Sequence, residues 1–150
     1  MIRFVSTNGG AVRVGLVEAL RRPIPSQGEL WMPEKIPQIN FPGPSEPLSA
    51  FVEAAILPYA PQIPRLKTVC EKALDGVDLM LKPTPLHAPS VSHELQLWHG
   101  PTEAFKDVGC RVALALYKTL LEESRLVVAT SGDTGGAVAA AAAPRPPPPT

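Results

Sequence analysis

A chain of 150 residues with 45% hydrophobic content is long enough to bury one core of its own. Its 14 Lys and Arg balance 14 Asp and Glu, and no dense basic run is present, so neither nucleic acid nor an anionic membrane surface is an expected partner. No window approaches the roughly 18 apolar residues of a membrane span.

The chain starts with MIRFVSTNGG, which holds one Arg and no apolar stretch of the kind a secretory leader carries, so a cytoplasmic location is the default and an organelle stays open. The two cysteines, Cys70 and Cys110, form no C-x-x-C pair and each sits in an apolar helical context, which predicts reduced, buried thiols. No metal site is expected. Proline is abundant, 19 of 150, against an average of about 5%. It gathers near residue 42, between Pro58 and Pro64, and in PRPPPP at the end. The first two clusters read as turns between helices, and the last as low complexity.

In chain order, residues 2 to 5 (IRFV) read as a short strand and STNGG as a turn. VRVGLVEALRR, with Val12, Val14, Leu16, Val17 and Leu20, favours a short helix whose start is ambiguous. GELWMP is a brief extended segment ended by Pro33. LSAFVEAAILPYA and PRLKTVCEKALDG read as two short helices, the second closed by Gly76. MLKPTPLHAP is extended, because a residue before proline is pushed out of the α region. HELQLWHG alternates Leu95 and Leu97 with polar neighbours, as a strand does, and leads into Gly100-Pro101. Phe105, Val108, Val112, Leu116 and Leu120 then recur at helical spacing, with Thr102 as candidate N-cap and the acids Glu103 and Asp107 in the first turns. Residues 125 to 130 (RLVVAT) form a continuous apolar run, the pattern of a strand buried on both faces. SGDTGG breaks it, and AVAAAAA starts another helix.

The last third therefore reads strand, turn, helix, strand, glycine-rich loop, helix. This α/β alternation predicts a parallel sheet covered by helices, with ligands where strand C-termini meet helix N-termini. Two chemistry-bearing stretches fall at that edge. Lys106 lies in the first turns of a helix, where the dipole disfavours an ammonium, and Phe105 beside it adds desolvation; a lysine that attacks an aldehyde needs the neutral amine. The alternative is a lysine paired with Asp107 or Glu103 on a wet helix start. In TSGDTGG, Ser131, Thr134 and the backbone N–H groups of Gly132, Gly135 and Gly136 make a site for a carboxylate or phosphate. The alternative there is an ordinary turn capped by Ser131 or Asp133. The segment has the spacing of neither a P-loop nor a G-x-G-x-x-G fingerprint.

Together, ELQLWHGPTEAFKD and VVATSGDTGGAVA resemble the threonine synthase family, pyridoxal-phosphate enzymes of the tryptophan-synthase β-like fold. FVSTNGG, QGELWMPEKIPQI and KPTPLH resemble that family's earlier segments, so the likeness runs from about residue 2 to about residue 140 and is weakest over 48 to 76. It implies an α/β chain: a threonine-synthase-type region over residues 1 to 80, then the start of a parallel-sheet fold type II domain over 81 to 140, incomplete, and an Ala/Pro tail over 141 to 150. It implies that Lys106 holds pyridoxal 5'-phosphate covalently and then acts as acid and base at the substrate's α and β carbons. Ser131, Gly132, Thr134 and Gly135 would bind the substrate's α-carboxylate, Asp133 would lie near the cofactor ring, and His99 and Thr102 would shape the pocket, although for His99 a hydrogen-bonded turn residue is the preferred alternative. The implied reaction turns O-phospho-L-homoserine and water into L-threonine and phosphate.

Three departures stand out. Glu103 replaces an apolar or aromatic residue of the family pattern and adds a negative charge, and GEL replaces the usual Gly-Gly-Leu. The family also continues through a further sheet and a loop for the cofactor phosphate. The resulting expectation is a truncated or mis-terminated member with little activity alone. The alternative is a non-catalytic, threonine-synthase-like fragment that binds a partner or a small carboxylate.

Overall fold

The structure, a computed structural model, describes residues 2–40, 42–43, 45–83, 93–121 and 125–143. The chain divides into two compact units, one of Met1–Glu71 with Leu116–Ser124 and the other of Lys72–Ala115 with Arg125–Thr150.

In the first unit, β1 (Phe4–Ser6) is the centre of a three-stranded antiparallel sheet, flanked by β2 (Arg13–Val14) and β3 (Trp31–Pro33). Phe4 stands opposite Val14 on one side and Pro33 on the other. The segment expected as a single helix is thus divided. Arg13 and Val14 join the sheet, and helix α1 (Leu16–Arg21) begins after Gly15. The division has a physical cause: β-branched Val14 suits a ladder, and β1 supplies the backbone partners that a local pattern does not reveal. Ser6 Oγ and Asn8 Nδ2, the latter at 2.8 Å, donate to the Glu29 carboxylate and tie β1 to the turn before β3. The bonds from Ser6, Ser26 and Asn8 hold the Glu29 carboxyl below its ordinary value. Trp31 Nε1 donates to the Arg22 carbonyl at 2.6 Å.

Helix α2 (Leu48–Ile56) starts behind extended Pro47. Helix α3 (Leu66–Leu74) follows, near the two positions expected for helices. The Phe4 and Tyr59 rings pack 5.7 Å apart, and Ile2, Ala60, Ile63, Leu66 and Cys70 are buried. The free Cys70 thiol is 1% exposed, and burial first, then Glu53 and Glu71, push it up to about 11. Cys110 is free as well and half-buried.

In the second unit, β4 (Asp78–Pro83) and β5 (His93–His99) form an antiparallel pair, with Met80 opposite Gln96, Leu81 opposite Leu95, and a bulge between Asp78 and Met80. Most of the expected KPTPLH segment lies outside the described residues. Helix α4 (Lys106–Leu120) and helix α5 (Asp133–Ala142) complete the order. Every strand pairing among the described residues is antiparallel. Residues 125 to 130, expected as a strand buried on both faces, form no ladder and are exposed throughout, Val127 to 90%. A doubly buried strand requires neighbours on both edges and layers on both faces, and none of these accompanies the segment among the described residues. The Ala/Pro tail from residue 144 lies outside the described residues. Among those described, no helix is long and apolar enough to cross a membrane, and no group of three or more His, Cys, Asp and Glu is arranged to hold a metal ion.

Candidate active site

The site is built on the starts of α4 and α5, both within the second unit. Strand β5 ends at His99, whose Nε2 lies 3.1 Å from Gln96 Oε1, and Gln96 itself is buried and bonded to Glu94. His99 is therefore a hydrogen-bonded residue of the strand end. Gly100 and Pro101 turn the chain, and the Glu103 N–H donates to the Gly100 carbonyl at 3.1 Å. Glu103 takes a left-handed φ of 55°, uncommon for a residue with a side chain. Its carboxyl is exposed to solvent.

Thr102 does not cap α4. The helix begins four residues later, at Lys106, and the capping relation runs the other way: the Thr102 N–H donates to Asp107 Oδ2 at 2.9 Å. A carboxylate in the first turn reaching back to an upstream N–H satisfies an otherwise orphaned donor, as the acid of a capping box does. Asp107 is fully buried by this arrangement. Gly100 is required beside it, because a Cβ there would lie 2.5 Å from Asp107 Oδ2. By sequence Asp107 is a dipole-compatible acid or a partner for Lys106; the signal for its larger role is a Gly-Pro turn followed by an acid in the next helix's first turn.

Lys106 is the first residue of α4. Its Nζ lies 4.2 Å from the centroid of the Phe105 ring and 3.5 Å from Asp133 Oδ2. Both neighbours attract a cation. The expected local partners, Asp107 and Glu103, do not take the lysine; the carboxylate it meets comes from the other motif. The Lys106 side chain keeps 31% of its surface accessible, and that of Asp133 keeps 66%.

Asp133 opens α5, and the N-cap is Gly132, with no side-chain cap bond from Ser131 or Asp133. Thr130 does the local fastening instead: its Oγ1 accepts the Gly132 N–H at 3.3 Å. The Gly135 and Gly136 N–H groups both turn to the Gly132 carbonyl, at 2.9 and 3.3 Å. Both are thereby paired within the first turn of the helix. The N–H groups of Asp133 and Thr134, at the first two helical positions, have no acceptor within a helix of this geometry and so lie available to an anion. Ser131 and Gly132 are exposed, and Thr134 and Gly135 half-buried. The structure therefore brings Lys106 and Asp133 together, with Ser131, Gly132, Thr134 and Gly135 on the segment around Asp133.

No family model matches the chain. It is 31% identical to human threonine synthase-like 2 over 148 residues, 88% of this chain and 30% of that protein. It is 31% identical to the threonine synthase of Schizosaccharomyces pombe over 158 residues, 89% of this chain and 30% of the relative. With the threonine synthase of Haemophilus influenzae the figures are 31% over 137 residues, 82% of this chain and 29% of the relative. The crystal structure of PLP-bound threonine synthase from Brucella melitensis matches with a TM-score of 0.78 at 29% identity, over 94% of this chain and 33% of that one. The chain thus spans about a third of the length of the relatives it matches.

Proposed function

Because the chain belongs to the threonine synthase family of PLP-dependent fold, we propose that Lys106 and the segment from Ser131 to Gly135 serve the conversion of O-phospho-L-homoserine and water to L-threonine and phosphate. The observation that carries this reading is the 3.5 Å approach of Lys106 Nζ to Asp133 Oδ2, which joins the two motif segments at one point.

The residues present fit pyridoxal 5'-phosphate. Lys106 offers a primary amine that is one-third accessible and held only by the Phe105 ring and one long contact to Asp133, so it can be given up to an aldehyde carbon. When bound, the cofactor supplies the electron sink that makes the substrate's carbon–hydrogen bonds acidic. Lys106 would hold the cofactor and would then move protons at the substrate's α and β carbons. Asp133 would receive the Lys106 ammonium between these roles and would face the bound cofactor. Ser131, Gly132, Thr134 and Gly135 form the segment that receives the α-carboxylate, with the free N–H groups at the start of α5 pointing the helix dipole toward it. Residues 1 to 80 form the amino-terminal region in this reading, and 81 to 140 the beginning of the catalytic domain, in a cytoplasmic enzyme.

The matched stretch is 30% of the length of the human and yeast relatives, which supports a second reading. In it the 150 residues bind a partner or a small carboxylate without turning substrate over. One experiment separates the cases. Pyridoxal phosphate is added to the full chain, the adduct is reduced with borohydride, and the modified lysine is mapped. Modification at Lys106 with visible absorbance, lost in Lys106→Ala, supports the cofactor role, and phosphate release from O-phospho-L-homoserine then distinguishes the enzyme from the binder. Scattered modification across surface lysines in folded protein rejects the enzyme and favours the non-catalytic binder.

A further inference from the structure

We infer that Asp107 is the positioning residue of this site: its buried carboxyl group fastens the Gly100–Thr102 turn to the first turn of α4 and so sets the direction in which Lys106 leaves the helix. The inference rests on the cofactor role proposed above for Lys106.

Asp107 is 0% exposed. One oxygen accepts the Thr102 N–H at 2.9 Å, while the other, Oδ1, is buried with no partner among the described residues, as is Thr102 Oγ1. Enclosing a carboxyl group with one of its two oxygens unpaired is unfavourable. An exposed Ser or Thr cap would start the helix without that cost. What the buried carboxyl adds is rigidity between two points five residues apart in sequence. Gly100 packs so closely on Asp107 that a Cβ would meet its Oδ2, Cβ and Cγ at 2.5, 2.9 and 3.0 Å. The turn closed in this way contains Glu103 at φ 55° and ends at Lys106. A turn held at both ends fixes the backbone between them, and Lys106 is the last residue of that stretch. Reactive groups lose rate steeply when displaced by about 1 Å, so a costly clamp immediately beside the amine has a use that a surface cap does not.

The test compares Asp107→Asn, Asp107→Ala and Gly100→Ala in the full chain. Asparagine removes the charge and keeps an oxygen for the Thr102 N–H; alanine removes both. Two readouts are taken. The first is hydrogen exchange at the Thr102 amide. The second is the acylation rate of Lys106 by a small anhydride, mapped by mass spectrometry with Lys67 and Lys118 as internal standards. The expected result is that Asp107→Ala loses about tenfold of Thr102 protection and shifts Lys106 acylation by a similar factor against the standards, while Asp107→Asn keeps both near wild type. If Asp107→Ala does not fold, Gly100→Ala, which displaces the carboxyl group without altering it, is expected to give the same Lys106 shift. Unchanged Lys106 acylation in the folded alanine variant, or in Gly100→Ala where that variant stands in, overturns the inference. So does an equal shift in Asp107→Asn, which would assign the effect to charge. Failure of pyridoxal phosphate to modify wild-type Lys106 rejects the cofactor reading instead, and the acylation pattern still decides the role of Asp107.

Discussion

Thr130 and Gly135 stand against each other with no space for a methyl group between them: a Cβ on Gly135 would lie 2.4 Å from Thr130 Cγ2. The threonine cannot rotate away without consequence, since its χ1 is stiff and its Oγ1 accepts the Gly132 N–H. Gly135→Ala is therefore expected to destabilise the chain by about 1 to 3 kcal/mol despite alanine's higher helix propensity. Thr130→Ser removes Cγ2 and keeps the hydroxyl, leaving Cβ at an ordinary 3.8 Å. The double variant should recover most of the loss. A denaturation cycle over the four proteins measures the coupling, and additive effects would contradict the contact.

The Lys106–Asp133 pair is partly exposed, and such pairs contribute about 0 to 1 kcal/mol. A carboxylate in the first turn of α5 adds about 0.3 to 1 kcal/mol through the dipole. Asp133→Asn should then lower stability by no more than about 1 to 2 kcal/mol while changing the rate at which pyridoxal phosphate modifies Lys106. Denaturant midpoints and trapping rates, measured on the same preparations, check the two halves. A large stability loss with unaltered trapping would make the pair structural.

How much of this was legible in the sequence depends on whether the determinant is local. The period of Val108, Val112, Leu116 and Leu120 gives α4, and the alternation of HELQLWH gives β5. The same alternation does not say which face is covered: Gln96 is buried while Leu95 is 54% exposed. The start of α4 was misplaced because Thr102 is a good cap by type, whereas the actual fastening needs Asp107 to reach backward across the turn. The alternation of elements sets the two motif stretches at one edge, but the contact of Lys106 with Asp133 is not written in it, since no spacing rule joins residues in separate helices. Strand β2 was hidden for the reason that it is two residues long and exists through its pairing with β1.

Residues 125 to 130 give the sharpest contrast between pattern and environment. By composition they read as a strand covered on both sides, yet Val127 is 90% exposed and Leu126 45%. Val127→Lys should accordingly change the stability of the 150-residue chain by no more than about 0.5 kcal/mol and reduce its tendency to associate through an uncovered apolar segment. Urea denaturation and light scattering report the two effects. A loss of several kcal/mol would mean that this run is buried in solution.

Cys70 provides a pH dependence whose sign is fixed by burial. Its thiol rises from an ordinary 9.0 to about 11 in the folded chain, because burial and then the nearby Glu53 and Glu71 disfavour the thiolate. A raised folded value means that the unfolded chain releases its proton first. The stabilising contribution is whole below pH 9 and is lost as pH rises toward 11, amounting to at most about 2 to 3 kcal/mol. Cys70→Ala removes that slope: its stability should fall less steeply than wild type between pH 9 and pH 11, although alanine starts lower by the packing lost at a site 1% exposed. Thiol titration at neutral pH should modify half-buried Cys110 well before Cys70. Parallel alkaline slopes for the two proteins, or equal modification of both cysteines, would show that Cys70 reaches solvent.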